Sequence, residues 1–249
     1  MARTALLAST LALWELLSRV GPWPRWLFPG PVEVGAALVR LAADGRLADA
    51  VTRSLARLVQ GFGLSILIGI PLGVLLARSS AIRSALRPVV LGFQALPSVC
   101  WLPLAILWFG LNDAAIVFVV VMGSLLAVSI ATEDAVAGVD PILLRAAGTL
   151  GIRGARFHAG VLLPAALPGI LTGLKLGWSF AWRALMAGEL LFVAGGLGQL
   201  LQAGRETLDA AQVMAVMACI VAIGVAVDQG LFRWIEGRVR LRWGLGEPA

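Results

Sequence analysis

Long apolar stretches separated by short polar ones dominate this chain. Residues 58–77, 88–112, 114–132 and 210–227 contain no Asp, Glu, Lys or Arg. Residues 169–193 are apolar apart from Lys175, Arg183 and Glu189, and a shorter stretch at 5–20 contains Glu15. A helix rises about 1.5 Å per residue, so roughly 20 apolar residues cross about 30 Å of hydrocarbon. Six membrane-spanning helices are predicted, an all-α polytopic fold. The first begins with Met1-Ala2-Arg3 and an apolar middle, as a secretory leader does. Glu15 interrupts that middle, and no small-x-small cleavage site precedes Gly21-Pro22, so an uncleaved helix is expected.

Residues 133–164 break this rhythm. They hold Glu133, Asp134, Asp140, Arg145, Arg153 and Arg156 between two spans, too long for a turn and too polar to cross. A short helix is legible inside them. Asp140 suits its N-cap and Pro141 its first position, Leu143, Leu144, Ala146 and Ala147 follow, and Gly151 can end it. With the N-terminus inside and six alternating helices, eleven arginines fall in inner segments and five in outer ones. The positive-inside rule then places both termini in the cytoplasm.

Composition narrows the classes further. Apolar residues make up 59% and charged ones 14%, with a mean hydropathy of +0.91. A soluble domain carries about 25% charged residues, so lipid is the expected solvent. The net charge of +6 comes from nineteen Arg and the single Lys175, mostly clustered between apolar runs. That is juxtamembrane charge, and nucleic acid is not an expected partner. Cys100 and Cys219 both sit in apolar runs and build neither a disulfide framework nor a zinc site. His158 is the only histidine, and no His/Cys/acid cluster accompanies it, which argues against a membrane enzyme. Lys175 follows Leu174, so the chain holds no Gly-Lys-Ser/Thr phosphate loop.

The stretch Leu144-Arg145-Ala146-Ala147-Gly148-Thr149-Leu150-Gly151, then Phe157 and Leu163-Pro164, resembles the EAA loop of ABC importer permeases. Arg145 stands where that family has Glu. Ser54-Leu55 with Arg57, Gly61-Phe62 and Gly69-Ile70-Pro71-Leu72-Gly73 are similar to the start of the family's membrane core. Leu96-Pro97, Leu102-Pro103-Leu104, Leu107-Trp108-Phe109-Gly110, Gly173-Leu174-Lys175, Ala181-Trp182, Glu189 and Gly196-Leu197-Gly198 extend the likeness in order. The resemblance covers about residues 54–243 and is strongest to the nitrate, sulfonate and taurine branch.

That resemblance implies a type I ABC importer permease fold. Residues 1–53 would form an N-terminal helix and outside segment, 54–243 a transmembrane core with a coupling loop at about 133–164, and 244–249 a tail. Asp140, Pro141, Leu143, Leu144, Arg145, Ala146, Ala147, Leu150 and Gly151 would form the coupling helix seated on the ATPase. The implied assembly is two permease copies, a homodimer, with two ABC ATPase subunits and an extracytoplasmic solute-binding protein in a bacterial inner membrane. ATP and Mg would reside on the ATPase, with no cofactor or metal on this chain. The implied solute is a small anion: sulfonate, taurine or nitrate.

Charges inside a bilayer are costly and should face protein or water. Lys175 can snorkel from the inner end. Arg183 sits near mid-membrane, where it either lines the pathway for an anion or pairs with an acid. Arg183 and Glu189 lie about 120° apart on one helix and should not pair with each other. Gln94, Trp101 and Trp108, spaced by seven, share one helix face and either line the pathway or pack. Asp113 and Asp209 are expected as helix caps. Residues 195–199 read as a gate, a docking surface or a turn. Ala165, Gly169, Gly173, Gly177 and Ala181 form a ridge of small residues suited to close helix packing. A secondary transporter or channel is the alternative, and it predicts an internal repeat or a relay of intramembrane acids; neither is visible.

Overall fold

The computed structural model describes residues 2–191 and 195–242, and all their regular structure is helical. The chain opens with α1 (Ala2–Val20) and α2 (Pro31–Ala43). A long helix, α3 (Arg46–Arg78), leads to α4 (Ser80–Gln94) and α5 (Ser98–Phe109), whose first turn is 3-10. Then come α6 (Asp113–Ala137), the short α7 (Pro141–Thr149) and α8 (Gly154–Leu191), which has a π-helical stretch at His158–Leu162. The last two are α9 (Leu197–Glu206) and α10 (Ala210–Val239).

Four of these, α3, α6, α8 and α10, are long and apolar enough to cross a membrane, and α4 with α5 makes a fifth if the bent pair counts as one span. Six were expected. α1 is not among them, because its 19 residues carry Arg3, Glu15 and Arg19. Residues 88–112, expected as one straight span, are instead two helices meeting at 97°. Pro97 is the cause. It takes an extended conformation (φ −55°, ψ 135°), has no N–H to donate, and bars Leu96 from the helical region.

The helices form two compact units. One joins the chain up to Ala56 with Glu189–Gly224; the other joins Arg57–Gly188 with the chain from Val225 onward. In the second unit α6 is the central helix, and it is approached closely on two sides. A Cβ on Gly169, Gly173 or Gly177 of α8 would collide with Ala135, Ala131 or Val128 in turn. From α3, Gly61 meets Val120 and Gly69 meets Val128. The small-residue ridge is thus filled by α6 of the same chain, and it is ordinary helix packing rather than an exposed dimer face. In the first unit, α2 buries Val34 and Ala37 against Ala215 of α10. The Trp14 indole donates to the Pro29 carbonyl at 3.1 Å, tying α1 to the turn before α2.

Glu133 and Asp134, expected in the polar loop, form the last turns of α6. At the other side α8 begins at Gly154, so Arg156 and His158 are helical. The loop therefore reduces to α7 and its two short connections.

Candidate functional site

The α7 helix is held at both ends by local chemistry. Asp140 Oδ1 accepts the Ile142 N–H at 2.7 Å, and Pro141 fills the first helical position. At the far end Gly151 turns left-handed (φ +72°) and donates its N–H to the Gly148 carbonyl at 3.1 Å. The Ile152 N–H reaches back to the Ala147 carbonyl at 3.0 Å, which completes a glycine stop. One face packs inward: Ala147 is buried, and Leu144 rests on a core of Val136, Val139, Leu162, Ala166 and Ile170. The other face exposes Ile142 (65%), Leu143, Arg145, Ala146 and Leu150 (78%). Each apolar side chain left in water forgoes roughly 1.5–3 kcal/mol of burial, so such a face suits a partner. Ile142 was missed from the sequence, although it stands one and two turns from Ala146 and Leu150.

A second feature sits at the α4–α5 break. A cavity of about 310 Å³ is lined by Phe93, Gln94, Leu96, Ser98, Phe180 and Arg183, among others. Irregular backbone at membrane depth is tolerated where it lines a cavity or is buried in protein. Arg183 is exposed toward this space. Its Nε donates to the Ser179 carbonyl at 3.1 Å, and its guanidinium lies 4.9 Å from the Phe180 ring centre. Among the described residues no carboxylate lines the cavity.

The four residues singled out as pathway candidates thus separate. Gln94 and Arg183 share the cavity wall. Trp101 packs between Phe93 (5.6 Å) and Phe118 (6.4 Å), and Trp108 also meets Phe118 edge-to-face (5.6 Å). The break at Pro97 removes the single helix face on which Gln94, Trp101 and Trp108 were expected to line up.

Glu189 is enclosed elsewhere, at 1% exposure. Ser54 Oγ lies 2.8 and 2.7 Å from its two carboxylate oxygens, and the Gly198 N–H donates to it at 3.0 Å. Ser54 Oγ also accepts the Leu197 N–H at 2.9 Å, so α9 starts from this cluster. Gly196 (φ +112°) packs so tightly that a Cβ would stand 2.5 Å from Glu189 Oε1. Residues 195–198 are therefore the seat of a buried carboxylate.

Other charges also find partners the sequence did not disclose. Lys175 Nζ lies 3.0 Å from Asp228 Oδ1 of α10. Asp113, expected as a cap, accepts instead from Arg57, whose NH2 is 2.8 Å away; the cap of α6 is Asn112, whose Oδ1 accepts the Ala114 N–H at 2.9 Å. Asp209 does cap α10, accepting the Gln212 N–H at 2.9 Å. Arg83 and Arg87 of α4 both reach Glu133 Oε1, at 2.7 and 2.6 Å. Nothing in the local pattern signals that last cluster, since Glu133 lies 46 or more residues from either arginine.

The described residues thus make a helical membrane protein with a capped, apolar-faced helix in its polar loop and a broken span. The family described as binding-protein-dependent transport system inner membrane component matches residues 69–241, and the chain belongs to it. A probable ABC transporter permease protein of Brucella abortus is 33% identical over 230 residues, covering 90% of this chain and 91% of that protein. The taurine transport system permease protein TauC of Escherichia coli is 30% identical over 230 residues, covering 90% and 84%. Among solved structures, the MetNI methionine ABC transporter in inward-facing conformations has a chain with the same fold (TM-score 0.67, 22% identity, 83% and 96% coverage). The protein is thus a multi-pass inner-membrane permease subunit of an ABC importer. It works with a binding protein, and ATP is hydrolysed by a separate partner subunit.

Proposed function

We propose that this permease imports a small organic anion, of the sulfonate type, through a pathway that passes the Arg183 cavity. The observation that carries the reading is Arg183 itself. A guanidinium facing a cavity without a carboxylate is a recognition element for an anion rather than half of an ion pair. Phe93, Leu96 and Phe180 supply an apolar wall suited to an alkyl tail. Gln94 and Ser98 offer neutral hydrogen bonds beside it. A relative bearing the name of a taurine permease agrees with a sulfonate head group.

In this reading two copies of the chain assemble with two ATPase subunits, both termini lie in the cytoplasm, and ATP and Mg reside on the ATPases. The α7 helix docks on the ATPase through Leu143, Arg145, Ala146, Leu150 and the added Ile142. Asp140, Pro141 and Gly151 give it fixed ends, while Leu144 and Ala147 tie it to the membrane core. The capped helix is rigid, so nucleotide-driven closure of the ATPases moves α6 and α8 with it. Access then alternates across the membrane.

The test uses the reconstituted permease–ATPase complex with its binding protein and labelled butanesulfonate as probe. Arg183→Gln should lower uptake about tenfold or more, the worth of one charge-assisted contact of roughly 1.5–3 kcal/mol, with ATPase binding intact. Unchanged uptake by Arg183→Gln overturns the pathway assignment. Ile142→Asp should strip the ATPase from the purified permease; co-purification at the wild-type ratio overturns the docking assignment.

A further inference from the structure

We infer that Glu133 is a positioning residue for coupling: through Arg83 and Arg87 it ties the end of α6 nearest α7 to the first half of α4, whose far end lines the cavity. The inference rests on the reading of α7 as the ATPase-docking helix. Glu133 has no exposed surface, and its Oε1 takes both arginines, at 2.7 and 2.6 Å. Asp134 adds a contact to Arg87 at 3.4 Å. Glu133 Oε2 is buried and has no hydrogen-bond partner. Both arginines on Oε1 come from α4, so the carboxylate is joined to that helix through one oxygen.

The mechanical chain runs through named contacts. Leu144 of α7 packs against the cluster that contains Val136 and Val139, and Val136 lies three residues beyond Glu133, so a displacement of α7 bears on this end of α6. On α4, Arg83 and Arg87 are one turn apart and share a face. Gln94 follows Arg87 by seven residues, two turns further along that face, beside the Pro97 break. Within α4 only Val90 is buried, so apolar packing fixes the helix weakly in this chain. The ion cluster is its firm attachment, and α4 is the rod that carries a displacement to Gln94 and the cavity.

The experiment places a cysteine at Gln94 in a Cys100→Ser, Cys219→Ser background and purifies the permease with its ATPase. Labelling by a charged, membrane-impermeant maleimide is compared in the ATP–vanadate and nucleotide-free states. In the parent the rate should change several-fold with nucleotide. With Glu133→Gln that ratio should fall toward one while ATPase binding and ATP hydrolysis persist. Restoring a carboxylate with Glu133→Asp should recover part of the ratio. A parental ratio kept by Glu133→Gln overturns the inference, whereas no nucleotide effect in the parent overturns the coupling reading and this one with it. Should Glu133→Gln fail to assemble, the neutral triple variant Arg83→Gln, Arg87→Gln, Glu133→Gln removes the uncompensated charge. An assembled triple variant with its ratio lost supports the inference; a retained ratio, or a second failure to assemble, overturns it.

Discussion

Two glutamates, Glu133 and Glu189, are almost equally buried, yet the contacts described for each differ in kind. Glu189 sits in a seat of glycines, with the Ser54 hydroxyl and the Gly198 N–H aimed at it and Gly196 leaving no free space. Glu133 is gripped on one oxygen by two long, flexible arginines from another helix, while its other oxygen has no hydrogen-bond partner. Backbone dipoles in a packed turn cannot move without unmaking the turn. Two arginine–carboxylate pairs that bridge separate helices can move together with both helices and keep their bonds. Burial alone therefore does not define a structural carboxylate: the Glu189 seat is suited to holding a turn fixed, and the Glu133 cluster to transmitting a displacement.

The comparison can be broken most severely at the seat. Gly196→Val places a branched side chain at φ +112° and against Glu189, and should cost about 3 kcal/mol or more, seen as a lowered thermal midpoint and loss of purified protein. Ser54→Ala comes next. It removes the hydroxyl from the buried carboxylate and from the Leu197 N–H, an expected loss of about 2 kcal/mol in the same unfolding measurement. Arg87→Gln should cost less, about 1 kcal/mol, because Arg83 stays on the same oxygen. It should nevertheless weaken the nucleotide response of cavity labelling, which Ser54→Ala should leave alone. The smallest effect is expected at Lys175→Gln. That pair is about 40% exposed at both ends (36% and 46%) and should contribute under about 1 kcal/mol to the unfolding free energy.

Several parts of this molecule could be read directly from the chain. Asp140, Pro141 and Gly151 marked both ends of α7, because caps and stops are chemistry of adjacent residues. Asp209 marked the start of α10 in the same way. Pro97 carried the signal of a break inside residues 88–112, but hydropathy outweighed it, and a bent pair was read as one straight span. Length and apolarity count residues and do not register a change of direction. The apolar face of α7 was half legible, with Ile142 overlooked in favour of the motif around it.

The chain by itself determined that this protein lives in lipid, that it is helical, and that a short capped helix interrupts its spans. All of these follow from composition, from periodicity and from residues within one helical turn of each other. Only the tertiary structure decided that Ala131 and Ala135 fill the glycine ridge, that Arg183 faces a cavity while Glu189 is sealed in a turn, and that Glu133 belongs to Arg83 and Arg87. Those outcomes depend on which helix sides meet across gaps of dozens of residues, and close packing, not local preference, selects them.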